Sequence, residues 1–188
     1  IDAHKGFAIP QTQDNWRFDP DLAGAGCLYD IGTYSVQLQR WFGGGLPTRV
    51  SAQRRHHDDP RFAKVESDIA WWAEFNGGVL ATGSASWRYR LQNRLRIGTE
   101  QAWIDLDPAT PAIGERLRIG IDQPNRIEEI ALPLRDQLPT MYDAFAACCL
   151  GETAVPITAQ DGLADLIMME ALLRSAANGR PETLNADT

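Results

Sequence analysis

The sequence predicts an α+β domain in which a predominantly antiparallel, open-faced β-sheet is covered on one face by helices. Three observations carry this. A helical pattern spans residues 27–42, seven strand-like runs follow between residues 49 and 132, and two more helical segments close the chain. With 188 residues, 44% of them hydrophobic, and no repeat, low-complexity segment or linker, the chain is read as one domain over 1–188.

IDAHKGFAI opens the chain as a short strand ended by Pro10, and polar irregular chain runs on to Asn15. The helix over 27–42 is stopped by Gly43, Gly44, Gly45 and Pro47. Strands are predicted over 49–57, 65–75, 79–89, 94–97, 102–106, 117–121 and 127–132, joined as a meander. Asn76-Gly77-Gly78, between two alternating runs, is a hairpin turn because these residues tolerate positive φ. Alternation puts Ile69, Trp71, Ala73 and Phe75 on a core face with Val79, Ala81, Gly83, Ala85 and Trp87. Trp72 and Leu80 fall on the opposite, mixed face, which suits either solvent or a second subunit. A helix over 140–150 stops at Gly151. The last helix is capped by Thr158 and Asp161 and ends at Asn178-Gly179 before Pro181.

The net charge of −7 argues against a nucleic-acid partner, which needs a basic face. No apolar run approaches the roughly 20 residues of a membrane-spanning helix. Cys27, Cys148 and Cys149 are odd in number, two of them adjacent in an apolar helical context. They suggest core packing and a reducing cytoplasm rather than a disulfide framework. His56-His57-Asp58-Asp59 has metal-ligand residue types, yet neighbouring side chains on a strand point to opposite faces, so no metal is expected there.

On a wheel of about 100° per residue, Asp30 and Tyr34 share one edge of an apolar stripe of about 160° that includes Cys27, Leu28, Ile31, Leu38, Trp41 and Phe42. Val36, Gln39 and Arg40 fall outside it. Two readings follow. Asp30 either suits the helix dipole while Tyr34 packs, or the phenol acts as an acid or base toward a substrate hydroxyl with the carboxylate beside it. Gly24-Ala25-Gly26 lacks the spacing of a phosphate-binding turn and instead lets the chain approach another surface closely, such as a cofactor held by a different domain.

NWRFDPDLAGAGCLYDIGTYSVQLQRWFGG, residues 15–44, resembles the opening of the C-terminal domain of the glucose-fructose oxidoreductase and inositol dehydrogenase (Gfo/Idh/MocA) family. DIAWWAEFNGGVLATGSASW is similar to that family's paired sheet strands, and MYDAFAACCLGETAVPITAQDGLADLIMMEALLRSAANGRPETL to its closing helices. The resemblance implies the substrate-binding and oligomerisation domain of an NAD- or NADP-dependent oxidoreductase acting on a sugar, polyol or related compound. Its N-terminal Rossmann domain would be missing here, since the sequence has neither a dinucleotide fingerprint nor a Glu-Lys-Pro segment and starts at Ile1. Asp30 is implied to position substrate, Tyr34 to take the acid/base place, and Trp16 and Arg17 to approach cofactor or substrate. A homo-oligomer through the open sheet face is implied too. The fragment alone is then expected to be inactive and to bind no cofactor tightly. An alternative is a non-catalytic dimerisation or ligand-binding module on the same fold.

Overall fold

The computed structural model describes residues 1–9, 15–89, 92–122 and 126–184. Its strands are β1 (Asp2–Gly6), β2 (Arg49–Arg55), β3 (Asp68–Glu74), β4 (Leu80–Ser86), β5 (Gln92–Gly98), β6 (Ala102–Leu106), β7 (Leu117–Ile121), β8 (Arg126–Ile130) and β9 (Glu182–Thr183). The helices are α1 (Pro20–Ala23), α2 (Thr33–Gly43), α3 (Gln137–Cys149) and α4 (Ala159–Asn178). All nine strands form one sheet in the order β8-β7-β6-β5-β1-β4-β3-β2-β9. The α+β class with an open sheet is thus the observed one.

The meander is interrupted at one place. β1 lies between β4 and β5, parallel to the former and antiparallel to the latter, and every other pairing is antiparallel. In that central place both edges of β1 are paired, so its backbone donors and acceptors are satisfied on each side. The irregular stretch expected after it falls largely on residues 10–14, outside the described residues.

The core lies between the sheet and the helices α2 and α4, where Ile69, Trp71, Ala73, Ala81 and Ala85 meet Val36, Met168 and Leu172. Gly83 sits opposite Trp71 in the β3–β4 register, and a Cβ there would lie 2.3 Å from the indole. The glycine therefore makes room for the largest ring in this layer. Trp71 Nε1–H donates to Gln39 Oε1 at 2.8 Å, and Gln39 Nε2–H donates to the Thr82 carbonyl at 2.6 Å, so the buried amide is paired at both ends. The Asn76–Gly78 turn closes the β3–β4 hairpin with Gly77 at φ 74°. Thr158 and Asp161 form the expected reciprocal cap on α4.

Two further expectations need correction. The first is the wheel. Residues 28–32 form a π-helical turn ahead of α2, and such a turn carries one extra residue and rotates everything beyond it by about 100°. Val36, Gln39 and Arg40 are therefore buried, while Trp41 is 67% exposed and Phe42 and Tyr34 face outward. The second is Cys148-Cys149. α3 buries no residue, so Cys149 is exposed and Cys148 half-buried, with only Cys27 in the core. No helix among the described residues is long and apolar enough to cross a membrane.

Candidate functional site

The π turn is anchored from both sides. Gly26 packs against the Glu66 backbone so closely that a Cβ would lie 2.1 Å from its carbonyl oxygen. The Glu66 carbonyl accepts from Cys27 N–H at 3.0 Å, and its side chain accepts from Leu28 N–H at 3.1 Å. The surface that Gly26 approaches is thus this chain's own Glu66 segment, while Gly24 lies against the Tyr29 ring. A side-chain acceptor at the start of the helical run satisfies donors that a helix leaves unpaired.

Asp30 projects from this turn with its side chain 17% exposed. Arg17 Nε–H donates to Oδ1 at 2.8 Å, and Trp87 Nε1–H donates to Oδ2 at 2.9 Å. The partners that keep this half-buried carboxylate satisfied are therefore a guanidinium and an indole, not the neighbouring phenol. Arg17 arrives on a 3₁₀ turn, Trp16–Phe18, capped by the Asn15 side chain, which accepts from Arg17 N–H at 3.1 Å. Phe18 fastens that turn by packing edge-on to Trp87 and Phe62, with ring centroids 5.8 and 5.6 Å away. The same buried Trp87 thus fixes the carboxylate directly and the arginine through its neighbour.

Asp30, Arg17 and Tyr34 line one cavity of about 410 Å³ together with Asn15, Ile31 and Lys5. Tyr34 is 45% exposed, one turn after Asp30, with its ring beneath the Lys5 ammonium, 4.6 Å from Nζ to the centroid. Trp16 does not line this cavity. It stacks on the Arg17 guanidinium at 4.5 Å and faces a neighbouring hollow shared with Phe18, Leu22 and Arg61. The structure therefore joins Asp30, Tyr34 and Arg17 and leaves Trp16 one step behind Arg17.

Lys5, Asn15 and Trp87 were not singled out from the sequence as site residues. Lys5 had a readable signal, because it interrupts the apolar alternation of Ala3, Phe7 and Ile9 on one face of the first strand. His56 and His57 are engaged locally. His57 Nδ1 accepts from Asp59 N–H at 3.2 Å, and Asp59 pairs with Arg61 at 2.7 Å, an ion pair that draws the Asp59 carboxyl down to about 2. Among the described residues no three metal-ligand side chains come together.

The GFO/IDH/MocA C-terminal domain model matches residues 1–105, more than half of the chain. The chain belongs to the GFO/IDH/MocA family. It is 27% identical over 183 residues to a D-xylose 1-dehydrogenase (NADP(+)) of Haloferax volcanii, covering 95% of this chain and 54% of that protein. The crystal structure of aldose-aldose oxidoreductase from Caulobacter crescentus complexed with glycerol superposes with a TM-score of 0.88 at 32% identity, over 97% of this chain and 54% of that one. Levoglucosan dehydrogenase in complex with NADH shares the fold, with a TM-score of 0.77 at 16% identity over 98% of this chain. The chain spans about half the length of the curated relatives it matches.

Proposed function

We propose that this GFO/IDH/MocA domain is the substrate-binding half of an NAD(P)-dependent oxidoreductase that moves hydride between a nicotinamide and a hydroxyl-bearing carbon of a sugar, polyol or related compound. The observation that carries this is the single cavity into which the π turn and α2 bring an anchored carboxylate and an exposed phenol. An ionised carboxylate has about four lone-pair positions. Arg17 and Trp87 use two on Asp30, which leaves it able to accept from a substrate hydroxyl while held still. Tyr34 Oη, as phenolate, takes the proton from the reacting hydroxyl in oxidation and, as phenol, returns it to the forming alkoxide in reduction.

The nicotinamide supplies the hydride acceptor or donor. The residues present do not hold the dinucleotide, because the sequence offers no glycine-rich phosphate turn, and this domain contributes one wall of the site. A cofactor-binding domain elsewhere in the parent protein therefore completes it. The outward apolar stripe of α3, Leu138, Met141, Tyr142 and Phe145, supports a further covering surface of that kind. A homo-oligomer through the open sheet face is supported by exposed Leu80 and Ile127, and a reducing cytoplasm by three free cysteines.

The same bonds that anchor Asp30 also give it a purely structural account, which favours the alternative of a binding or dimerisation module without chemistry. Turnover of the parent protein on a panel of sugars and polyols with NAD and NADP separates the two. Tyr34→Phe lowers kcat by at least about a hundredfold if the phenol handles the proton. Near-normal kcat in that variant removes Tyr34 from the mechanism.

A further inference from the structure

Lys5 is placed where a lysine is hard to explain by stability. It sits in the central strand β1, half-buried, and burial pushes its ammonium below the ordinary lysine range. Among the described residues no carboxylate lies within ion-pair distance of it. Its polar partners are both on Thr110, the hydroxyl at 2.6 Å and the carbonyl at 3.3 Å. Thr110 is fixed in turn, donating its N–H and its Oγ1–H to Asn93 Oδ1, both at 3.0 Å. An ammonium has three donors, so Thr110 leaves one to spare.

Tyr34 presents the complementary deficit. Its hydroxyl has no hydrogen-bond partner among the described residues, and its ring is held from above by the Lys5 ammonium, within the range of a cation–π contact. Asn93, Thr110, Lys5 and Tyr34 therefore form one chain of contacts from β5 to the cavity.

We propose that Lys5 is a positioning residue for Tyr34, fixing the phenol in the cavity through its ring while its spare N–H donates to a substrate oxygen beside the reacting hydroxyl. The inference rests on the reading of Tyr34 as the proton-handling group. It predicts a split in kinetics: the effect on kcat runs through Tyr34, and the effect on KM is direct.

The test is steady-state kinetics on the full-length parent protein. Lys5→Met lowers kcat by about 10- to 100-fold and raises KM, and Lys5→Arg restores most of kcat. Placed on Tyr34→Phe, Lys5→Met leaves kcat within about threefold of the single variant while KM still rises. Thr110→Val, which keeps the ammonium and removes its hydroxyl anchor, gives an intermediate loss of kcat and covers the case in which Lys5→Met fails to fold. Full kcat in Lys5→Met or in Thr110→Val, or losses that multiply in the double variant, overturns the proposal. If Tyr34→Phe itself keeps its turnover, the reading of the site falls first. If Tyr34→Phe is inactive and Lys5→Met is not, only the role of Lys5 falls.

Discussion

Helices α2 and α3 are two amphipathic segments of similar length with opposite fates. α2 closes over the sheet through Val36 and Gln39 and locks to α4 through Arg40, whose Nε–H donates to Asp165 at 2.6 Å. α3 carries its apolar side chains at the i, i+3, i+4, i+7 spacing of a buried stripe, yet Phe145 is 68% exposed and the helix buries no residue. An apolar stripe in a sequence says that a surface is to be covered; it does not say what covers it. For α2 the cover is this chain's own sheet. For α3 no described residue provides it.

The difference can be broken by substitution. Arg40→Met leaves Asp165 buried without its partner and costs about 3–5 kcal/mol in urea unfolding, the largest expected effect. A change under about 1 kcal/mol would mean that the α2–α4 contact is not holding the helix down. Gly26→Ala forces a methyl group toward the Glu66 carbonyl and costs about 1–3 kcal/mol by the same measurement, with the π turn as its casualty. On α3, Phe145→Glu changes the unfolding free energy of this domain by no more than about 0.5 kcal/mol, because the ring leaves no core.

The far end of the sheet sharpens the contrast by pH. Asp105 is buried, which alone would raise its pKa, but Arg94 and Arg118 on either side hold its carboxyl below the ordinary carboxylate range. A lowered folded-state pKa stabilises above the unfolded value and is lost as pH falls through the folded one. Acid unfolding should therefore be steeper in the native domain than in Asp105→Asn below about pH 4. Parallel curves would show that this ion-pair triad contributes nothing.

Much of the fold was legible because period-2 alternation and turn glycines are local signals. The β3–β4 hairpin, the α4 cap and the core-facing Trp71 all follow from them. The insertion of β1 beside β4 was not legible, since a short strand says nothing about which edge it will join. The resemblance names Asp30, Tyr34 and Arg17; the wheel pairs only the first two, and it has both helix faces wrong beyond residue 32. The wheel assumed 3.6 residues per turn, and the π turn broke that assumption at the residue that matters. Lys5 interrupts the apolar alternation of its strand, but the alternation alone does not say which side chains it meets.

Tyr34 and Trp41 show what that correction is worth. The uninterrupted wheel makes both part of the buried stripe, whereas the structure exposes both and places only Tyr34 beside Asp30 in the cavity. The decisive measurement is kcat of the full-length parent protein carrying Tyr34→Phe beside one carrying Trp41→Phe. A loss of at least about a hundredfold in the first with near-unchanged kcat in the second is the expected result. Equal turnover in the two variants would contradict a catalytic site at Asp30 and Tyr34.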